Sequence, residues 1–533
     1  MPRVQKEAEC SGVCSGCLAV LGGREPLTTG PLLIHISSIK MSLRNPPSFQ
    51  HLAMQSLLSH PSWAISAMET LPVLVFPSLF MEVYARAHTE VLKALVQAWP
   101  FRCLPLGDLA ESPDLETFKA VLDGLDLLLA KKERPSQWKL QVLSLQKEHP
   151  NIWTWGYPSM ARISSPDILT DKPTESHCSG MTEEQPLMIT MDLTIKHGTQ
   201  DALQAHLLNW ARERRERVQL CSRKLQIWSD FISEIQKALH VVRLDSIQEL
   251  VVSEFWNRET MKIFAPYLSQ MKNLHLLKLS KMRADFYTAS QKNSWYSWKI
   301  GAHLGQLQHL QELHVHEVLF LYGKLPAVLR SLRPLKALSL SACALQEADL
   351  RCLSQAPCTR QLQHLQLTSL FMDNSSPESL RDLLEQVAST LETLALEDCA
   401  FTDAHLSAIL PGLSQCSQLR VFSVYGNHIS MAALYNLLSH TARLGHLSRG
   451  LYPAPLESYH PQEWGLENID PERLALVLAS LGQVLRDLGP TQRVQICTDF
   501  CHHQNKCQFY SLGPDGSWVL TEEGLPSLSA LSV

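Results

Sequence analysis

The chain has no apolar run approaching the roughly eighteen residues that cross a bilayer, so no membrane span is expected. Net charge is also scarce, −5 over 533 residues, which excludes a polycation built to coat nucleic acid, and no direct nucleic-acid binding is expected. With 45% hydrophobic residues the chain is not a disordered polyelectrolyte either. The opening residues Met1-Pro2-Arg3-Val4-Gln5-Lys6 lack the apolar stretch of a secretory signal, so a cytoplasmic or nuclear protein is expected. In that reducing setting the fourteen cysteines read as free thiols. Cys343 and Cys399 recur at one repeat position, and Cys103, Cys221 and Cys352 lie among apolar residues. Also missing are G-x-x-x-x-G-K-[ST], H-E-x-x-H and G-x-S-x-G, so phosphate-cradle, zinc-hydrolase and nucleophile-elbow chemistry have no support. No enzyme activity, cofactor or metal is expected.

What the sequence does have is leucine at fixed intervals. Six segments share one pattern: Leu274-x-x-Leu277-x-Leu279, Leu310-x-x-Leu313-x-Val315, Leu335-x-x-Leu338-x-Leu340, Leu362-x-x-Leu365-x-Leu367, Leu391-x-x-Leu394-x-Leu396 and Leu419-x-x-Phe422-x-Val424. The last two apolar positions are two apart, so they share one face of a short strand, and the residues between them take the other. The first positions lie 36, 25, 27, 29 and 28 residues apart, room for a strand and a returning helix in each unit. Weaker copies precede them at Leu140-x-x-Leu143-x-Leu145, at Leu225 and Ile227, and at Ile247-x-x-Leu250-x-Val252. After three of the strands, Cys343, Cys399 and Asn427 supply a small polar group that can satisfy turn backbone buried between units. Residues 377–384 and 403–410 carry helical apolar spacing. The expected fold is therefore α/β, a leucine-rich-repeat solenoid: a horseshoe with a parallel sheet on its concave face and helices on its convex face. Such a surface suits binding better than catalysis.

Texture divides the chain further. Residues 1–40 are rich in Gly, Ser and Cys without sustained period and read as a disordered extension. Residues 41–137 form an N-terminal helical region punctuated by Pro61, Pro72, Pro77, Pro100 and Pro105. The solenoid is expected over 138–512, with a polar, flexible insertion at 164–185 and a strand from Ile189 to Ile195. Residues 513–533 read as a loose tail.

Several phrases resemble the PRAME family of leucine-rich-repeat proteins. They are residues 96–107 (VQAWPFRCLPLG), 79–82 (LFME), 138–143 (WKLQVL), 220–225 (LCSRKL), 425–427 (YGN) and 451–459 (LYPAPLESY). The resemblance runs from about residue 41 to 510. It implies a substrate-recognition subunit of a cullin-RING ubiquitin ligase, with elongin B and C and a cullin as partners and an unknown protein as substrate. It also implies repression of transcription, differentiation and apoptosis in favour of proliferation. The alternative is a transcriptional corepressor or scaffold, in retinoic-acid signalling, that contacts no ligase. On this resemblance Ser56 and Leu57 open an elongin box that Ile65 closes, with Pro61 where the box has Cys. Leu71, Pro72 and Val75 match the cullin-selecting box that follows.

Other groupings have plainer readings. Cys10, Cys14 and Cys17 have the spacing of an iron–sulfur site but no barrel around them. Cys497, Cys501, His502, His503 and Cys507 lack a second clean pair of zinc ligands. L-x-x-L-L at 125–129, 380–384 and 434–438 arises freely in a leucine-rich chain, and these leucines are expected to pack inward. Arg212, Arg214, Arg215 and Arg217, then Arg223 and Lys224, form a basic cluster diluted by Glu213 and Glu216, which reads as a solvated helix end. The positions between the apolar pairs define a candidate target surface: Glu312, His314, His316, His364, Gln366, Glu397, Ser423 and Tyr425. Tyr425, Glu397 and His316 are its candidate anchors, expected to be exposed.

This register predicts that Leu338, Leu340, Leu365, Leu367, Leu394 and Leu396 are buried between units. Each Leu→Ala change should cost about 2–5 kcal/mol in denaturant unfolding, because neighbouring units cannot collapse into the cavity. Full stability of such variants would overturn the register.

Overall fold

The computed structural model describes residues 49–521 except 110–113, 132–134, 148–151, 164–185, 199–200, 254–257, 282–300, 319–322, 344, 371, 373–375, 461–468, 490–492, 499–507 and 514–515. The 1–40 extension, the Cys10–Cys17 grouping, the 164–185 insertion and residues 501–507 of the Cys/His group lie outside the described residues. The chain divides into a unit ending at Ser56 and a second from Leu57 onward. Of the first, the described residues belong to the helix Phe49–Leu58.

The second unit is α/β, built on two largely parallel sheets. One has five strands: β1 (Cys103–Pro105), β2 (Val142–Ser144), β3 (Leu187–Thr190), β5 (Val218–Cys221) and β7 (Val242–Arg243), adjacent in that order. The other begins with β4 (Leu193–Lys196), β6 (Lys224–Trp228) and β8 (Glu249–Ser253). It continues through β9 (Leu276–Ser280), β10 (Glu312–His316), β11 (Ala337–Ser341), β12 (His364–Thr368), β13 (Thr393–Glu397), β14 (Val421–Ser423), β15 (Arg449–Pro453) and β16 (Arg493–Cys497). An antiparallel hairpin, β17 (Phe509–Leu512) and β18 (Trp518–Thr521), ends it. The expected strand over Ile189 to Ile195 is thus two strands, one in each sheet. Leu187, Ile189, Met191, Leu193 and Ile195 are all buried, so an unbroken alternation conceals the break. The expected tail after Gly513 likewise contains β18, which the antiparallel partner β17 holds in place.

Register follows the leucine pattern. Leu338 lies beside Leu365 and Leu340 beside Leu367, which in turn flank Leu394 and Leu396. All six are 0–1% exposed. The covering helices use 3.6-residue spacing: Met261, Phe264, Ala265 and Leu268 of the helix Arg258–Leu268 cluster with Leu250, Leu277 and Leu279. Helices Pro377–Val387 and Asp403–Ser414 pack side by side, so closely that a Cβ on Gly412 would meet Leu384 Cβ at 3.1 Å.

The six units from β9 to β14 turn at the same place. Seven residues after the first leucine stand Lys281, Glu317, Ala342, Ser369, Asp398 and Gly426, all left-handed with φ from +50° to +73°. Five of the six are not glycine, at a cost of about 1–2 kcal/mol each. The conformation aims each N–H at the next unit: Ala342 donates to Thr368 O (2.9 Å), Ser369 to Glu397 O (2.8 Å) and Asp398 to Tyr425 O (3.1 Å). Glycine is required at Gly426, where a Cβ would overlap Asp398 Oδ1. One residue on, the small polar group works as expected. Asn427 Oδ1 accepts from Cys399 N–H and Phe401 N–H, both 3.0 Å, and its Nδ2 donates to Leu396 O and Val424 O, both 2.7 Å.

The helical region 57–137 packs on an aromatic cluster of Phe76, Phe80, Trp99 and Trp153. Two indoles are pinned by backbone, Trp99 Nε1 to Cys103 O and Trp153 Nε1 to Pro105 O, each 3.0 Å. Arg214, stacked on Trp210, forks onto Asp126 of the helix Leu115–Ala130. The basic cluster at 212–217 is therefore partly a structural clamp.

Asn427→Ala should cost at least ~2 kcal/mol in denaturant unfolding, because it strands two buried N–H groups and two carbonyls at once. Near-parent stability would show that the turn backbone finds other partners.

Candidate functional site

The face of the larger sheet opposite the helices divides in two along its length. On β6 to β12 it is largely open and polar, with Ala337 and Ser339 of β11 buried among larger neighbours. Register pairs Lys224 with Glu249 and Lys278 with His314, and Glu312 lies on the same face two residues before His314. Lys224 Nζ lies 3.9 Å from Glu249 Oε2 and His314 Nε2 lies 3.5 Å from Glu312 Oε2. His314 as a hydrogen-bond partner holds the Glu312 carboxyl below the usual range, helped by His364 and Lys278, while burial depresses the Lys278 ammonium. Ser339 Oγ donates to Gln366 Oε1 at 3.1 Å. His316 and His364 are exposed; Glu312, His314 and Gln366 are half-buried. The sheet thus brings these five candidate residues onto one continuous surface. Lys224 and Lys278 were missed by sequence reasoning, although both follow from the same alternation, each preceding an inward leucine.

On β13 to β16 the same face is closed beyond the first residues of β15 and β16, Arg449 and Arg493, which are exposed. Thr393, Ala395, Glu397, Ser423, Leu451 and Gln495 are all buried. This corrects the expectation that Glu397 is an exposed anchor: it is 3% exposed. Burial pushes its carboxyl up to about 7, with Asp398 adding to the rise and hydrogen bonding from Ser423 and Tyr425 opposing it. Ser423 is buried too. Tyr425 is half-buried and lies outside the strand, because β14 stops at Ser423 and the chain turns toward Gly426. Alternation alone could not reveal this, since it reports which face a residue takes and not what lies over that face.

The second candidate segment shows a different chemistry. Ser56, Ile65 and Pro72 are exposed; Leu57, Leu71 and Val75 are half-buried. Pro61 starts the helix Pro61–Ala67, where its missing N–H has no cost. Val73–Val75 form a 3-10 turn after Pro72. Trp63 and Leu74 are 67% and 61% exposed, an uncovered apolar stretch on a folded surface. The three L-x-x-L-L helices, by contrast, point inward: Leu125, Leu128, Leu380, Leu383, Leu384, Leu434, Leu437 and Leu438 are buried. The described cysteines are free, and burial raises the Cys358, Cys399 and Cys416 thiols to about 12, which makes them unreactive. Among the described residues no group of three or more metal ligands converges, and no helix is long and apolar enough to cross a membrane.

A family model described as the PRAME C-terminal domain matches residues 187–516, and one described as the PRAME N-terminal domain matches residues 46–153. The chain belongs to the PRAME family. Among relatives, PRAME family member 12 of Homo sapiens is 44% identical over 478 residues, spanning 89% of this chain and 97% of that protein. PRAME family members 8 and 7 of Homo sapiens are each 44% identical over 478 residues, spanning 89% of this chain and 99% of theirs. The Asp126–Arg214 clamp thus joins residues from the two matched domains, and both parts of the open sheet face fall in the C-terminal one.

The pH dependence of Glu397 carries a signed prediction. Its folded pKa lies above its unfolded one, so its stabilising contribution is complete below the ordinary carboxylate range and is lost as pH rises through about 7. The full effect is on the order of 3 kcal/mol. Glu397→Gln, which keeps the shape without the charge, should unfold at a higher temperature than the parent at pH 8 and at the same temperature at pH 5. An unchanged difference between the two pH values would show that the carboxyl titrates normally.

Proposed function

We propose that this PRAME-family chain is a non-enzymatic, protein-binding leucine-rich-repeat solenoid that serves as a substrate-recognition subunit of a cullin-RING ubiquitin ligase. In this reading the larger sheet lines the concave face of a horseshoe. The open polar strip on β6 to β12 holds the target, with His316 and His364 at its exposed positions. The observation that carries the reading is the division of labour within one unit. A largely polar sheet face is left uncovered across six strands, and an uncovered apolar stretch around Trp63 and Leu74 lies in the separate helical region. One surface suits a polar target, the other an apolar adaptor. Elongin B and C with a cullin are the adaptor partners, through Leu57, Ile65, Leu71, Pro72 and Val75. Repression of transcription, differentiation and apoptosis would follow from the identity of the target, in the cytoplasm or the nucleus.

The test is co-precipitation of elongin and cullin with the full chain and with a Leu57→Ala, Leu71→Ala, Pro72→Ala variant. Association should be lost while thermal unfolding of the variant stays cooperative. Trp63→Ala, at a well-exposed position, is a second arm that should weaken association with no change in stability. Undiminished association in both folded variants would rule out this segment as the docking site.

A further inference from the structure

The end of the larger sheet where its strands begin gathers positive charge over β14 to β16. β15 opens on Arg449 and β16 on Arg493, which are direct neighbours in register, and both are exposed. Arg420 immediately precedes β14, and its carbonyl accepts from the N–H groups of Ser448 (2.9 Å) and Arg449 (3.1 Å), which ties it to the same edge. Arg443 stands in the exposed turn between the helix Met431–Thr441 and β15. Against these four guanidiniums the described residues set one carboxylate, Glu392, whose Oε2 lies 3.5 Å from Arg420 Nε. Arg443, Arg449 and Arg493 form no ion pair among the described residues. Parallel strands run about 4.8 Å apart. Like charges directly opposite on neighbouring strands repel, so a chain whose net charge is −5 concentrates uncompensated positive charge here.

We propose that this strand-start edge is an anion-binding contact for an acidic stretch of a partner protein, with its carboxylates received by Arg420, Arg443, Arg449 and Arg493. The inference does not depend on the ligase reading. Guanidinium is the side chain suited to this task, because its planar fork meets a carboxylate with two parallel hydrogen bonds. Three features favour a peptide over nucleic acid. The cluster spans only three strands, about 10 Å. Its own aromatic residues, Phe422 and Tyr452, are buried and offer no face for base stacking. Glu392 borders the cluster on its β13 side, which a peptide with spaced carboxylates tolerates better than a continuous phosphate backbone does.

The experiment is fluorescence anisotropy of a labelled, short Glu-rich peptide titrated with the full chain, beside a labelled single-stranded oligonucleotide. The peptide should bind saturably. Arg449→Glu with Arg493→Glu should weaken it about tenfold or more, and binding should fall as salt rises from about 50 to 200 mM. Arg449→Gln with Arg493→Gln should give an intermediate loss. Thermal unfolding should match the parent in both variants, since all four side chains are exposed. Absence of saturable peptide binding, equal binding by the charge-reversed protein, or tighter binding of the oligonucleotide through the same arginines would each overturn the proposal.

Discussion

The structure depends on one constraint: the six successive units from β9 to β14 leave their strands at the same point and in the same left-handed conformation. That turn costs backbone energy at the five non-glycine positions, residues 281, 317, 342, 369 and 398, and Gly426 takes it freely. It is offset because the turned N–H groups bond to the following unit and the next residue can enter the core. Cys399 and Asn427 are two solutions to that position. The thiol sits 3.3 Å from Leu367 O and Glu397 O, and the amide closes a four-bond network. Unit spacing can vary from 25 to 36 residues because the turn geometry, and not the length of the returning segment, fixes the register.

A second ladder joins the helix starts. Asp349 accepts from the N–H groups of Gly323 (2.7 Å) and Leu325 (3.1 Å) of the unit before it. Glu347 accepts from Ser376 N–H, and Asp403 from Ser430 N–H, in the unit after. Carboxylates at helix N-termini satisfy orphan donors and complement the helix dipole. Here they do so across the boundary between units, so the helix starts are aligned a few residues beyond the turns that align the strands. Both faces of the larger sheet are thereby placed by local chemistry repeated along the chain, and the outward side chains are set in rows that a partner could read.

Much of this was legible in the sequence because it is periodic. The inward leucines, the parallel register and the role of Asn427 all follow from spacing, and 44% identity over most of the chain to human PRAME family members agrees with the phrases at 96–107 and 451–459. What was not legible is whatever breaks periodicity or depends on distant segments. The break between β3 and β4 falls inside an unbroken alternation. β18 has no repeat signature and is held by its antiparallel partner and by Trp518 Nε1, which donates to Leu478 O at 2.6 Å. Glu397 has the alternation of a surface residue and the environment of a core one. Arg214 reads as part of a charge run, but its partner Asp126 lies 88 residues away in the chain. Partners cannot be read from pattern at all, and the exposed polar and apolar surfaces define only what kinds of partner each would accept.

If consecutive units are locked through their left-handed turns, hydrogen exchange of the native chain will reveal it. The amides of Ala342, Ser369 and Asp398 lie just beyond their strands, where an ordinary surface turn would exchange within seconds to minutes. The account predicts that they exchange as slowly as Leu365 and Leu394 in the strands beside them, through global unfolding. Fast exchange at these three positions with slow exchange in the strands would contradict it.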